Sequence, residues 1–401
     1  MKQIIVHCEQ GLTSVAFMDN GHLIEYYADR PNETQLVGDI FLGRVVNVLP
    51  GMQAAFVDIG QGKNAFLYID DLLPAHLEKQ PKIKPQITEL LTVGQEIMVQ
   101  IAKEPLGTKG ARVTTHFSIP GRSLVYMPYA DYVAVSRKIE PEEEKNRLRE
   151  IGEQIRRHEE GMIIRTVAKG KGREELQKEL LFLRDLWEDI LRKRNDAKAP
   201  SKLYSDLDMI LRVVRDIFTD QVDELLIDDP QKGADVINFV KKISPALAGR
   251  VHIYTEPLQI FERYEVNKQI ETYFRPKVWL NNGGYIIFEQ TEALTVVDVN
   301  TGKYTGSYDL ERTVFATNLE AAELIARLLR LRDIGGIIIV DFIDMNEETH
   351  RKAIVEKLEE AMKADRTKCH VVGWTNLGLL EITRKKVREN IENLFTEPCP
   401  H

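Results

Sequence analysis

The sequence predicts a multidomain α+β protein, and three observations carry that reading. At 401 residues the chain is too long for one ordinary domain and suggests two to four. Residues 36–118 hold short strands punctuated by Gly and Pro, the spacing of a small barrel. From residue 214 onward, aliphatic runs alternate with amphipathic helical patterns, which suits sheets flanked by helices. No apolar run reaches the length needed to span a membrane, and the opening MKQIIVHCEQ reads as a strand with no secretory signal. The cysteines, Cys8, Cys369 and Cys399, are too few and too scattered for a disulfide framework, so a cytoplasmic protein is expected. A net charge of −8 weighs mildly against a nucleic-acid partner, but a local basic groove remains compatible with it, because potential follows surface distribution.

Taken in order, residues 1–35 read as three short strands, IIVHCEQ, TSVAFMDN and HLIEYYAD, the last two joined at Gly21. They are too little to fold alone and should complete a sheet with residues 214–277, giving a discontinuous domain. Residues 36–118 carry GRVVNVLPG, QAAFVDIGQGKNAFLYIDDL, QEIMVQIAKEP and TKGARVTTHFSI. This pattern looks like an OB fold of the kind found in ribosomal-S1-like RNA-binding domains. Phe56 and Phe66 fall on adjacent strands of it, with Lys103, Lys109 and Arg112 nearby. Either the rings stack bases beside phosphate-binding cations, or both belong to the barrel core.

Residues 119–213 are strand-rich and then helical. Pro141 opens a charged helix whose mixed signs suit a solvated face. GMIIRT is a strand ending in Arg165-Thr166, before the basic turn Lys169-Gly170-Lys171-Gly172. A guanidinium, a hydroxyl and backbone N–H groups at a strand exit suit a phosphate pocket, or an ordinary strand-to-helix turn. From Arg173 a helix places Leu176, Leu180, Leu183, Trp187 and Ile190 at core spacing. Residues 214–277 then alternate: DELLIDDP as strand, PQKGADVINFVKKI as helix, RVHIYT as strand, PLQIFERYEVNKQIETYF as helix.

Residues 278–398 carry the chemistry-bearing stretch. Gly283-Gly284 turns a hairpin between KVWLN and YIIFEQ. Leu294–Val297 delivers Asp298, with Asn300 two residues on; Ile337–Val340 delivers Asp341, with Asp344 behind. A long amphipathic helix, stopped at Gly335-Gly336, joins the two runs. If the strands are neighbours, the acids meet at one edge of the sheet, as a hard-oxygen site for Mg²⁺ or as solvated caps. HVVGWTN and LGLLEITRKK close the region as a hairpin. Thr383–Arg388 is a basic cluster, and Arg330 and Arg332 are expected near the acids.

EALTVVDVN, FATNLEAAELIARLLRLRDIGGIIIVDFIDM, GLLEITRKK, GRVVNVLPGMQAAFVDIG and GMIIRT together resemble the catalytic region of the ribonuclease E/G family of bacterial endoribonucleases, over essentially the whole chain. The organisation looks closer to ribonuclease G, since the long scaffold tail of ribonuclease E is absent from the sequence. The resemblance implies an RNase H-like domain (1–35 plus 214–277) interrupted by an S1-like OB barrel (36–118) and a 5′ sensor (119–213). A DNase I-like catalytic domain (278–398) follows. By the same resemblance, Asp298 and Asp341 bind Mg²⁺ and Asn300 contacts the scissile phosphate. Arg165 and Thr166, supported by Gly121, Val125 and Arg137, sense a 5′-monophosphate; Phe56, Phe66, Lys103 and Lys109 contact RNA. The implied reaction cuts single-stranded RNA to 5′-phosphate and 3′-hydroxyl ends, in RNA processing and mRNA decay. The family also implies a homo-oligomer, dimer or tetramer, stapled by Zn²⁺ on a Cys-Pro-x-Cys link. Here Cys399-Pro400-His401 ends the sequence before a second cysteine, so a dimer would offer two thiolates of the usual four ligands, with His401 as the other candidate. The rival readings are a non-catalytic OB-fold RNA-binding protein and a DNA or phosphoester hydrolase on the same scaffold.

Overall fold

The computed structural model describes residues 1–9, 11–29, 35–74, 81, 83–105, 109–302 and 310–386. Cys399 and His401 lie outside them. Along the chain come β1 (Lys2–Glu9), β2 (Leu12–Asp19), β3 (His22–Asp29), β4 (Ile40–Leu49), β5 (Ala54–Asp58), β6 (Ala65–Tyr68), α1 (Ile87–Leu90), β7 (Glu96–Lys103) and β8 (Arg112–Thr114). Next are β9 (Ile119–Pro120), β10 (Leu124–Met127), β11 (Val133–Val135), α2 (Glu142–Ile155), β12 (Gly161–Ile164), α3 (Arg173–Asp196), β13 (Ser201–Tyr204) and α4 (Met209–Ile217). Then follow β14 (Glu224–Ile227), α5 (Pro230–Ile243), β15 (Val251–Ile253), α6 (Ile260–Arg263), α7 (Val266–Tyr273), β16 (Lys277–Trp279), β17 (Tyr285–Gln290) and β18 (Leu294–Asn300). The described chain ends with α8 (Leu310–Leu331), β19 (Gly336–Asp341), α9 (Glu348–Met362), β20 (Cys369–Trp374) and β21 (Leu380–Arg384).

The chain divides into two compact units. One comprises Met1–Asn32, Asp220–Lys241 and the chain from Ala246; the other comprises Glu33–Thr219 with Lys242–Pro245. The first unit contains two sheets. In one, ordered β15-β14-β1-β2-β3, β1 pairs parallel with β14, so the amino-terminal strands do complete a sheet with residues far downstream. The other is six-stranded, ordered β16-β17-β18-β19-β21-β20. Val297, Val299, Ile338 and Val340 line one face of it and bury against Ala321, Ala322 and Ile325 of α8, in a core that also takes in Ile354 and Leu358 of α9. Burying such side chains stabilises by roughly 1.5–3 kcal/mol each, which is what fixes α8 on this face.

The second unit contains a closed barrel, β4-β5-β6-β8-β7 with β7 pairing back onto β4. Its interior is Val45, Ala55, Val57, Ala65, Leu67, Val99 and Val113. A four-stranded sheet, β11-β12-β10-β9, packs against α2 and α3, whose Leu176, Leu180, Leu183, Trp187 and Ile190 are all buried as their spacing requires. β13 is unexpected: a short segment beyond α3 leaves its own neighbourhood to pair antiparallel with barrel strand β4.

Three expectations are corrected. PLQIFERYEVNKQIETYF is not one helix but α6 and α7, broken where Glu265 adopts φ +54°. The left-handed residue that stops α8 is Asp333 (φ +52°) rather than Gly335-Gly336; Gly336 opens β19. Arg330 and Arg332 are not near Asp298 and Asp341. α8 runs back against the strands, so its carboxyl end lies where β19 begins, far from where β18 and β19 deliver the acids. There the fully buried Arg332 donates to the carbonyls of Tyr273 (2.8 Å) and Arg275 (2.6 Å) and covers the Phe288 ring, while Arg330 donates to the carbonyl of Ile24.

Arg384, from the expected basic cluster, is likewise internal. Its guanidinium bonds Asp365 (2.9 Å), Asp333 (2.7 Å) and the Ile334 carbonyl, with 3% of the side chain exposed against 5% for Asp365. Removing one member of a buried pair strands the other charge. Arg384→Ala is therefore expected to cost about 3–5 kcal/mol in urea unfolding of the full chain; a loss below about 1 kcal/mol would show that Asp365 finds another partner.

Candidate functional site

The acids are set side by side by strand register. β18 and β19 pair in parallel as Val296↔Ile339, Val297↔Val340 and Asp298↔Asp341. Residues at alternate positions share a face, and register partners share it too. Val297 and Val299 face the α8 core, so Asp298 and Asn300 take the opposite, open face, and Asp341 joins them there. β18 continues two residues past Asp298, because β17 still pairs with it at Tyr285↔Asn300. Asn300 is thereby held on the same side as Asp298, and its Nδ2 donates to Asp298 Oδ2 at 2.7 Å.

The electrostatics of the pair are unfavourable as it stands. Partial burial, and then the like charges of Asp298 and Asp344, push the Asp341 carboxyl above the usual aspartate range. A divalent cation would relieve that repulsion, and Mg²⁺ commonly uses one or two carboxylates with water completing its shell, so two adjacent aspartates fit it. Asp344 is exposed in the loop beyond β19. Among the described residues no group of three or more His, Cys, Asp or Glu is gathered to hold a metal ion.

The same face carries residues that sequence reasoning missed. β16 and β17 pair as Lys277↔Ile287 and Trp279↔Tyr285, and β17 pairs with β18 as Ile287↔Asp298. Lys277, Ile287, Asp298 and Asp341 thus form one row across the sheet, and Trp279, Tyr285 and Asn300 the next. The alternation of KVWLN and YIIFEQ about Gly283-Gly284 contained this information, once the register was known.

The second unit gathers the other candidates. Arg165 follows β12 directly. Its Nη1 donates to the Gly121 carbonyl at 2.7 Å, its Nη2 meets Asp216 Oδ1 at 2.7 Å, and its backbone N–H donates to Ser123 O. A guanidinium has five N–H donors, so these contacts do not exhaust it. Burial pushes the Asp216 carboxyl up, but the Arg215 hydrogen bond and the charges of Arg215 and Arg165 outweigh it and hold it below the usual range. Asp216 lies far along the chain from Arg165, and no local pattern pointed to it. Thr166 is exposed and opens a 3₁₀ turn. Val125 lies on β10 opposite Ile163, and Arg137 is exposed in the turn after β11, where Ser136 N–H donates to Ile164 O. A Cβ at Gly121 would come up against Glu179 Oε1 and within 2.9 Å of Leu183 Cδ1, so a side chain there would require both of those to shift. Lys171 of the basic turn donates to Ser123 Oγ at 2.7 Å.

On the barrel, Phe56 and Phe66 are register partners with ring centroids 5.9 Å apart at 70°. Both are half-buried and alternate with the buried Ala55, Val57, Ala65 and Leu67, so they point outward and are not the barrel core. Arg112 pairs with Phe66 on one side and Lys103 on the other, but its guanidinium is bound to Asp71 at 2.8 and 3.2 Å. Lys103 and Lys109 are exposed.

Replacing Asp298 by Asn removes one of the like charges on Asp341 while preserving shape. In EDTA-treated protein, the Asp341 carboxyl carbon followed by NMR should then titrate at lower pH than in the parent chain, though burial keeps it from falling fully to the ordinary value. An unchanged titration would mean that the two carboxylates do not sense each other.

A model of the Ribonuclease E/G family matches residues 118–387. Ribonuclease G of Escherichia coli (strain K12) is 41% identical over 403 residues, covering 99% of this chain and 82% of that protein. Ribonuclease G of Haemophilus influenzae is 41% identical over 405 residues, with the same coverage. Ribonuclease E of Nostoc sp. is 41% identical over 368 residues, covering 91% of this chain and 53% of that protein. With the family model spanning more than half of the residues and relatives 41% identical over nearly the whole chain, the chain belongs to the ribonuclease E/G family.

Proposed function

We propose that the chain is an endoribonuclease of RNA processing and decay that cuts single-stranded RNA at Asp298, Asn300 and Asp341. Endoribonuclease activity follows from the family and from the ribonuclease relatives. The observation that carries the residue assignment is the parallel pairing Asp298↔Asp341, with Asn300 bonded to Asp298 on the same open face. Asp298 and Asp341 would hold Mg²⁺. When bound, the cation supplies Lewis acidity toward the scissile phosphate and lowers the pKa of a water ligand. The Asn300 amide has two N–H donors; one goes to Asp298, and the other is assigned to a phosphate oxygen. Water attack at phosphorus with departure of the 3′ oxygen leaves 5′-phosphate and 3′-hydroxyl ends.

The outward Phe56–Phe66 pair, with Lys103 and Lys109, is assigned to stacking and phosphate contact along the strand. Arg165, fixed by Gly121 and Asp216, is assigned with Thr166, Val125 and Arg137 to a single terminal phosphate. The domain scheme proposed is RNase H-like (1–35 plus 214–277), S1-like OB (36–118), 5′ sensor (119–213) and DNase I-like (278–398). A homo-oligomer with Zn²⁺ at Cys399 rests on the resemblance alone. No described helix is long and apolar enough to cross a membrane.

Labelled single-stranded RNA and its DNA counterpart, each with Mg²⁺ or EDTA and read on a gel, test the class. RNA cleavage that requires Mg²⁺ is expected; binding without products favours the non-catalytic reading, and equal cutting of DNA the broader hydrolase. Asp298→Asn should lower cleavage by at least about a hundredfold, the scale of a lost electrostatic contribution to the transition state, and leave RNA binding nearly intact. Cutting at the parent rate would remove the assignment. Arg165→Ala should bring 5′-monophosphate and 5′-hydroxyl RNA to the same rate, and an undiminished ratio between them would end the sensor assignment.

A further inference from the structure

Trp279 is 55% exposed on edge strand β16, an unusual place for so large an apolar ring. It meets Tyr285 of β17 edge-on, with centroids 5.3 Å apart. The Lys277 ammonium lies over both rings, 3.5 Å from the Tyr285 centroid and 4.4 Å from that of Trp279. Nothing in the packing of α8 calls for these groups, since they occupy the opposite face of the sheet. Their position is defined by register: Tyr285 pairs with Asn300, and Lys277 reaches Asp298 across Ile287 alone. Neighbouring strands lie roughly 4.8 Å apart, so the rings begin one strand from Asn300 and the cation two strands from Asp298.

We infer that Trp279 and Tyr285, with Lys277, form a base-stacking platform for a nucleotide flanking the scissile phosphate. The inference rests on the endoribonuclease reading of the acid pair and adds a specificity determinant to it. Exposed aromatic faces hold the bases of a single strand without reading sequence. Their electron-rich faces also hold a cation, which is what Lys277 does here. An arriving base takes the ring surface, and the ammonium moves to the adjoining phosphate. A single-stranded RNA meets all three demands of the face: a phosphate at the acids, a base at the rings and a negative backbone at the lysine. These positioning residues fix the strand's register at the cut, so they act on where the chain cuts as well as on how tightly it binds.

The test uses the full chain and a single-stranded RNA oligonucleotide with one cleavage site, scanned with an abasic nucleotide on either side of the cut. In the parent chain, one abasic position should lower kcat/KM by roughly five- to a hundredfold, the range one stacked base is worth. Trp279→Ala with Tyr285→Ala should cut intact RNA more slowly by a similar factor and lose its sensitivity to that abasic position. Trp279→Phe, which keeps a ring, should retain the sensitivity. In the cleavage-deficient Asp298→Asn background, the same RNA should quench Trp279 fluorescence, and Trp279→Phe should abolish that quench while leaving affinity nearly unchanged. If the parent chain cuts the RNA and the double alanine variant keeps the same abasic profile, the platform is wrong although the nuclease reading stands. If the parent chain cuts no RNA with Mg²⁺, the nuclease reading itself falls and the platform with it.

Discussion

Two carboxylates do not choose to sit side by side; the backbone ladder between β18 and β19 holds Asp298 and Asp341 together. Their repulsion is offset on the other face of the same strands, where Val297, Val299, Ile338 and Val340 bury against α8. Strand direction then sorts the charges. Both acids lie where β18 and β19 finish. α8 and β21 run the other way, so Arg332 and Arg384 come to rest at the opposite end, each absorbed by internal acceptors. Among the described residues, the cations carried by α8 and β21 at Arg332 and Arg384 are thus kept away from the acids.

The barrel uses the same alternation for another purpose. Its small inward residues, Ala55, Val57 and Ala65, close the interior, and the intervening Phe56 and Phe66 face out. The sheet beside it turns one strand exit into a fixed guanidinium, because the Gly121 carbonyl and the Asp216 carboxylate hold Arg165 from two sides. In each case a side chain is positioned by partners that are themselves rigid backbone or paired charge.

Much of this was legible in the sequence, for identifiable reasons. Period-2 and period-3.6 patterns set the strand and helix positions around the acids, and the run lengths were long enough to be unambiguous. Docking of the first strands onto residues downstream followed from their being too few to bury a face. What the sequence could not disclose was partnership across distance. Arg384 reads as one more cation in a basic run, and only Asp333 and Asp365 make it structural. Arg112 reads as an RNA contact until Asp71 claims it. Asp216 has no signature near Arg165. Trp279 carries no local signal, because its meaning depends on a register running through two further strands. Glu265 and Asp333 defeated helix boundaries because a positive φ at a non-glycine residue is set by its surroundings.

The pairing of β1 with β14 has a consequence in time. Lys2–Glu9 is made well before its parallel partner, which begins at Glu224. At about 5–20 residues per second, that partner emerges some ten to forty seconds later. Through the interval β1 lacks the partner that pairs along its other edge, while most of the intervening unit, Glu33–Thr219, is being made. Synthesis thus imposes an order on assembly: the bulk of the inserted unit is available to fold before β14 arrives to close the sheet on β1.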